Sequence, residues 1–197
     1  MIGVPPHSLH IVIDATEARV DSSLSLKDTI GTGNRLDVIC RLLVAAFWWG
    51  THLLRGVTVF IAFRHHPSLL VQGTLLQEPI VPKTELGFAR LLKDVYVNGA
   101  QVPGFTILDQ PIGDFIHGLQ EKGVRIWWLE EGGQSLQMTS PKPGIADAFI
   151  LGDHRGVSDA FITQYANVIP RISLGLKSYL GSSCIQLILG HLNLQNF

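Results

Sequence analysis

The sequence predicts an α/β domain built on a largely parallel sheet, and three observations carry that prediction. Short apolar, β-branched runs alternate along the chain with longer stretches of helical character. One of those runs, Val57 to Phe63, is apolar throughout, as strands covered on both faces are. No repeat, low-complexity tract or linker divides the 197 residues, so a single domain over residues 1–197 is expected. In such folds ligands bind beyond the carboxyl ends of the strands.

The elements follow in order. Leu9-His-Ile-Val-Ile13 reads as the first strand and closes on Asp14. A polar stretch, Glu17 to Thr32, leads to Asn34 as the cap of a helix over Arg35 to Phe47, which lacks Gly and Pro and is apolar nearly all round. Val57 to Phe63 is the next strand, ended by His65-His66-Pro67, and Leu69 to Leu76 reads as a short strand or hairpin. Thr84 caps an amphipathic helix over Glu85 to Val95 with Leu86, Ala89, Leu91 and Leu92 near one side. The turn at Pro103-Gly104 precedes a short strand ending at Leu108, and Ile112 to Lys122 is a helix stopped by Gly123. Val124 to Leu129 is a strand, Glu130-Glu-Gly-Gly133 a turn, and Ala146 to Leu151 a strand running into Gly152-Asp-His154. Ser158 caps a helix over Asp159 to Asn167, Ile172 to Gly175 reads as a loop, and Ser182 to Leu194 as an apolar helix.

Composition narrows the function classes. With 46% hydrophobic and 16% charged residues, and a mean hydropathy of +0.28, a disordered or collagen-like chain is excluded. The longest apolar runs, Leu42 to Trp49 and Val57 to Phe63, fall well short of the ~20 residues of a bilayer span, so no membrane segment is expected. MIGVPPHSLH lacks the charged start and apolar run of a secretory signal, and a cytoplasmic location is expected. Cys40 and Cys184 are too few for a disulfide framework, and no Cys/His spacing suggests a metal. Lys and Arg number 15 against 16 Asp and Glu, so no global basic field advertises nucleic acid.

Several segments could carry chemistry. Gly31-Thr-Gly-Asn34 is either a plain helix cap or a cradle for an anion, without the spacing of a P-loop. Asp37 and Arg41, four apart, make an ion pair or leave Arg41 for a phosphate. Arg35 sits beside the positive end of a helix dipole, where a phosphate partner would suit it. Asp153-His154 suits acid/base work or a turn, but no nucleophile elbow accompanies it. Glu130-Glu131 is a carboxylate pair or a solvated turn. Trp127 and Trp128 alternate faces, one towards the core.

The order of these segments carries more than any one of them. Gly31-Thr-Gly-Asn-Arg-Leu-Asp-Val-Ile-Cys-Arg41 with Ala45-Ala-Phe47, then Leu129-Glu-Glu-Gly-Gly133, Leu151-Gly-Asp-His154, Ser173-Leu-Gly175 and Cys184-Ile185 together resemble the SPOUT-class tRNA pseudouridine-54 N1-methyltransferases over nearly the whole chain. The resemblance implies a SPOUT-type domain with a C-terminal trefoil knot, normally a homodimer, that binds S-adenosyl-L-methionine and methylates N1 of a pseudouridine in RNA, above all tRNA. Carried over residue by residue, it places Leu129, Gly152, Leu174, Gly175, Leu176, Tyr179 and Cys184 around the cofactor. Glycines there would let backbone approach the ligand, and apolar side chains would sandwich an adenine.

Arg35, Asp37 and Arg41 match the family's Arg-x-Asp-x-x-x-Arg block. The arginines are expected near RNA phosphate or the target base, and Asp37 either takes the N1 proton or orients an arginine. The second role is favoured, because a carboxylate paired with arginine is a weak base. Leu189-Gly190 stands where family members carry a His-Asn pair. Residues 160–197 hold Arg171 and Lys177 and no Asp or Glu, which would make a local basic face. Two readings from other classes stand beside this one: a knotted RNA-binding or scaffold protein that binds S-adenosylmethionine without turnover, and a strand-end hydrolase using Asp153 and His154.

Overall fold

Three apolar runs of the chain become the centre of one sheet. The computed structural model describes residues 8–138, 142, 144–175 and 178–192. In chain order the elements are β1 (Leu9–Ala15), α1 (Leu36–Phe47), β2 (Trp48–Trp49), β3 (His52–Leu53), β4 (Val57–Phe63), β5 (Ser68–Gln72) and α2 (Glu85–Tyr96). They continue with β6 (Phe105–Leu108), α3 (Ile112–Glu121), β7 (Arg125–Ser135), β8 (Asp147–Gly152), α4 (Asp159–Tyr165), β9 (Arg171–Ser173) and α5 (Gly181–His191). Seven strands form a sheet in the order β6-β5-β4-β1-β8-β7-β9, while β2 and β3 make a small antiparallel ribbon. β1 runs parallel to both neighbours, with Leu9 opposite Val57 on β4 and Asp147 on β8. β7 is parallel to β8 and β9, and only β5 and β6, at one edge, are antiparallel.

Helices cover both faces, which is why the central strands carry almost no polar side chains. One face holds Ile11, Ile13, Val59 and Ile61 of the sheet against Leu36, Leu43 and Phe47 of α1, Phe88 and Leu92 of α2, and Ile185 and Leu189 of α5. The other packs Val12, Phe60 and Ile150 against Ile116 and Leu119 of α3 and Phe161 and Tyr165 of α4. α1 is the helix buried most nearly all round, because sheet, α2 and α5 surround it. Its carboxyl end is closed from α5, where the Gln186 amide donates to the Ala45 and Trp48 carbonyls at 2.6 and 3.4 Å.

Thr84 and Ser158 cap α2 and α4 as the sequence predicts, each oxygen accepting a backbone N–H of the first turn. Four expectations are corrected. Asn34 is not the cap of α1: Arg35 occupies that position, and the Asn34 side chain instead donates to the backbone carbonyl and carboxylate of Glu17, both at 3.0 Å. Leu86 is 49% exposed; the buried stripe of α2 is Phe88, Ala89, Leu92 and Val95. Glu130 to Gly133 is no turn between strands but a bulge inside β7, with Leu129 and Gln134 both opposite Ile172. Gly133 is required there, since a Cβ would sit 2.6 Å from the Arg171 backbone carbon. Residues 171–173, which overlap the loop expected over 172–175, add β9 to the sheet by pairing with β7 on either side of this bulge. Leu194, the expected end of the last helix, lies outside the described residues.

Candidate functional site

Parallel strands bring their carboxyl ends to one edge of the sheet, and a cavity of about 530 Å³ opens there beyond β7, β8 and β9. The ends of those strands supply Leu129, Leu151, Gly152 and Ile172; the start of α1 supplies Arg35, Val38, Arg41 and Leu42; the segment before α5 supplies Leu174, Gly175, Tyr179 and Leu180. Cys184, on the first turn of α5, completes the wall. Six residues expected around a cofactor, Leu129, Gly152, Leu174, Gly175, Tyr179 and Cys184, therefore line a single cavity, although up to 55 residues separate them in the chain. Leu176 lies outside the described residues, as does Lys177.

The cavity is held open by its own loops. Gly175 has φ +150°, and its neighbour Ser173 both accepts from the Gly175 N–H (3.2 Å) and donates to its carbonyl (2.8 Å). Gly152 is glycine for a reason other than ligand approach: a Cβ there would collide with the Gly156 carbonyl, so the loop after β8 could not fold back. That loop is clamped by Asp153. Its Oδ2 accepts from the Thr16 N–H and hydroxyl, both at 2.8 Å, and from the Glu17 N–H at 3.1 Å, while Oδ1 accepts from the Arg155 N–H at 2.9 Å. Asp153 is thus a structural clasp between the loops after β1 and β8, which removes the basis of the hydrolase reading. Burial pushes the Cys184 thiol up from its ordinary value, so it serves as a small apolar wall rather than a thiolate.

Arg35 and Arg41 reach the same cavity from the opposite side. Arg35 adopts a left-handed backbone, φ 67°, following Asn34 at φ 45°, and two adjacent non-glycine residues in that region are uncommon. The Asn34–Glu17 contacts hold the strained pair. Asp37, 7% exposed, stands behind them: its oxygens contact Arg35 Nε at 3.1 Å and Nη2 at 3.3 Å, and Arg41 Nη2 at 3.6 Å. Glu85 of α2 binds Arg41 in a two-point contact at 2.8 and 3.2 Å. Both guanidinium pKa values are raised above the ordinary one, chiefly by the hydrogen bonds that Arg35 donates to Asp37 and Arg41 donates to Glu85. Asp37 does not reach the cavity wall, and its geometry is that of an orienting group. Arg171 is turned elsewhere, with its guanidinium 5.0 Å from the centre of the Trp128 ring.

Leu42, Leu151 and Ile172, the apolar floor, and Glu85 were not singled out from the sequence. A signal existed for Val38 and Leu42, which share a helical face with Arg35. None existed for Glu85, which is 44 residues from its partner.

The chain resembles known proteins over nearly its whole length. A family described as "Putative SAM-dependent RNA methyltransferase" matches residues 9–197. The chain belongs to this family. A tRNA (pseudouridine(54)-N(1))-methyltransferase of Pyrococcus abyssi is 30% identical over 190 residues, spanning 88% of this chain and 92% of that protein. The protein of the same name from Thermococcus gammatolerans is 28% identical over 191 residues, 90% of this chain and 93% of its own. Among solved structures, Archaeoglobus fulgidus Nep1 bound to S-adenosylhomocysteine superposes with a TM-score of 0.65 at 13% identity, covering 97% of this chain and 100% of that one. This likeness shows the fold, the SPOUT type that the sequence resemblance implies. No helix among the described residues is long and apolar enough to cross a membrane.

Proposed function

We propose that this protein transfers a methyl group from S-adenosylmethionine to N1 of a pseudouridine in RNA, with tRNA as the substrate, and that it does so in the cytoplasm as a homodimer with its C-terminal segment threaded as a trefoil knot. The observation that carries the reading is one cavity with two kinds of wall: an apolar, glycine-containing side formed by the ends of β7, β8 and β9, and a guanidinium side formed by Arg35 and Arg41. Relatives named for this activity, at 25–30% identity over about 90% of the chain, support it.

The residues present fit the cofactor. A volume of about 530 Å³ is within the range of small-molecule sites. Leu42, Leu129 and Ile172 offer apolar plates for an adenine, and Glu130 and Glu131 on the bulge offer acceptors for hydroxyl or ammonium groups. When bound, S-adenosylmethionine supplies a methyl group on a positively charged sulfur. The chain's own contribution is alignment and charge: the cavity would hold the sulfonium methyl facing N1, so that transfer would release the neutral thioether S-adenosylhomocysteine and pass the N1 proton to solvent water. Arg35 and Arg41 stabilise the negative charge that builds on the target base as that proton leaves. Asp37 and Glu85 hold the two guanidiniums in place.

Calorimetric titration of S-adenosylhomocysteine tests the cofactor half, with a dissociation constant on the order of micromolar expected. Incubation with a pseudouridine-containing tRNA and S-adenosylmethionine, followed by mass spectrometry of the nucleosides, tests the rest: N1-methylpseudouridine is expected. Tight cofactor binding with no product from any RNA supplied would favour the scaffold reading, and no heat from folded protein would overturn both.

A further inference from the structure

A second cavity, of about 610 Å³, opens at the same carboxyl edge of the sheet but over the opposite face, between the ends of β1 and β4 and the starts of α3 and α4. One loop separates the two. Asp153, His154 and Gly156 line the first cavity, while Arg155, Val157 and Ser158 line the second. Nothing in the proposed transfer uses this space.

Its lining has three parts. At the bottom is Asp14, 7% exposed, whose Oδ2 accepts from the Ser158 N–H (2.8 Å) and hydroxyl (2.7 Å), while its Oδ1 takes no hydrogen bond among the described residues. A carboxylate oxygen on the wall of a cavity and without a protein donor is an acceptor for a donor group of a ligand. The walls are apolar, made by Ala62, Phe63, Ile112 and Val157. At the rim stand Arg64, exposed and without an ion pair among the described residues, and Arg155, which is 69% exposed and only 3.8 Å from Glu17. Glu17 is already engaged by Asn34, and Asp159 adds one negative charge to the rim. Such a rim disfavours a multiply charged free anion and suits a diester carrying a single charge.

A mixed slot, with an apolar patch, the Asp14 carboxylate on its wall and two guanidinium groups beside it, matches a nucleotide within a chain: the base enters against the apolar patch, an N–H or hydroxyl donates to Asp14, and the phosphodiester meets Arg64 and Arg155. We infer that this cavity receives a nucleotide of the substrate RNA near the target base, so that the loop 153–157 stands as a wedge between two nucleotides. This inference rests on the proposed RNA substrate.

The test uses the full chain saturated with S-adenosylhomocysteine and a fluorescent pseudouridine-containing RNA hairpin, read by anisotropy across a salt series. Ala160→Trp fills the cavity from an exposed position of α4, and Arg64→Ala removes the unpaired rim charge. Ala160→Trp is expected to weaken RNA binding about tenfold, and Arg64→Ala to reduce the slope of log affinity against log salt by about 0.7–1. Both variants are expected to bind S-adenosylhomocysteine as the wild type does. Wild-type RNA binding left unchanged by both substitutions overturns the second site and leaves the methyltransferase reading intact. No wild-type binding to any RNA overturns the substrate reading, and this inference falls with it.

Discussion

Replacing Asp153 with alanine separates a structural clasp from a catalytic acid. The carboxylate accepts four hydrogen bonds, three of them from Thr16 and Glu17 on another loop, and Thr16 is only 8% exposed. Hydrogen bonds to a charged group contribute about 1.5–3 kcal/mol each, but they are not additive, and water can enter near the exposed Arg155 N–H. A loss of roughly 3–5 kcal/mol is expected from Asp153→Ala. For a chain of this length each kcal/mol moves the melting temperature by about 2–4 °C, so a fall of roughly 6–20 °C should appear in a calorimetric scan. The same loop forms one wall of the candidate cofactor cavity, so affinity for S-adenosylhomocysteine should drop as well. His154→Ala removes only a 3.7 Å contact with Asp153 and is expected to change stability by less than about 0.5 kcal/mol. An Asp153→Ala protein melting within 2 °C of wild type would refute the clasp.

Three further outcomes follow from the geometry. Gly152→Ala places a Cβ against the Gly156 carbonyl and should cost about 1–3 kcal/mol or more while weakening S-adenosylhomocysteine binding; normal stability and affinity by calorimetry would contradict the need for glycine. Asp37→Asn leaves Arg35 and Arg41 without their shared carboxylate, so RNA methylation should fall by tenfold or more with cofactor affinity unchanged, and a variant with full turnover would show that orientation is unnecessary. His10, on β1 with no hydrogen-bond partner for its Nδ1 among the described residues, is held to a pKa of about 4 by burial and by Lys122, against 6.5 for the free side chain. The folded pKa lies below the unfolded one, so this contribution to stability is complete above about pH 6.5 and is lost as the pH falls to about 4. The total is roughly 3 kcal/mol. Urea unfolding at pH 7 and pH 4.5 should show His10→Leu losing distinctly less than wild type, and equal losses would exclude His10 as the source.

Local rules explain which elements were legible. Val57 to Phe63 coincides with β4 to the residue because an all-apolar, β-branched run has no other stable place than a covered strand. Thr84 and Ser158 were readable as caps because capping is a contact across three residues. Asn34 misled for the converse reason: its side chain answers to Glu17, seventeen residues away, and that contact holds Arg35 in the capping position with a left-handed backbone. Glu130 to Gly133 reads as a turn by composition, and only the pairing of β7 with β9 makes it a bulge. Leu189, at a position where the resemblance leads one to expect a polar residue, is fully buried in the core against the sheet.

Residue type and spacing were enough for the α/β class and the parallel core, because buried strands and glycine-dependent turns write their requirements into short stretches of chain, whereas the family and the six residues that meet in one cavity came from the resemblance that the order of the motifs carries. The tertiary structure alone decided what those residues do to one another. Asp153 became a clasp instead of an acid, Gly152 serves loop closure, Glu85 secures Arg41 from another helix, and the sheet divides its carboxyl edge into two cavities. Each of these depends on contacts between segments tens of residues apart. Such contacts form only when the sheet order is set, and no local pattern of residues encodes that order.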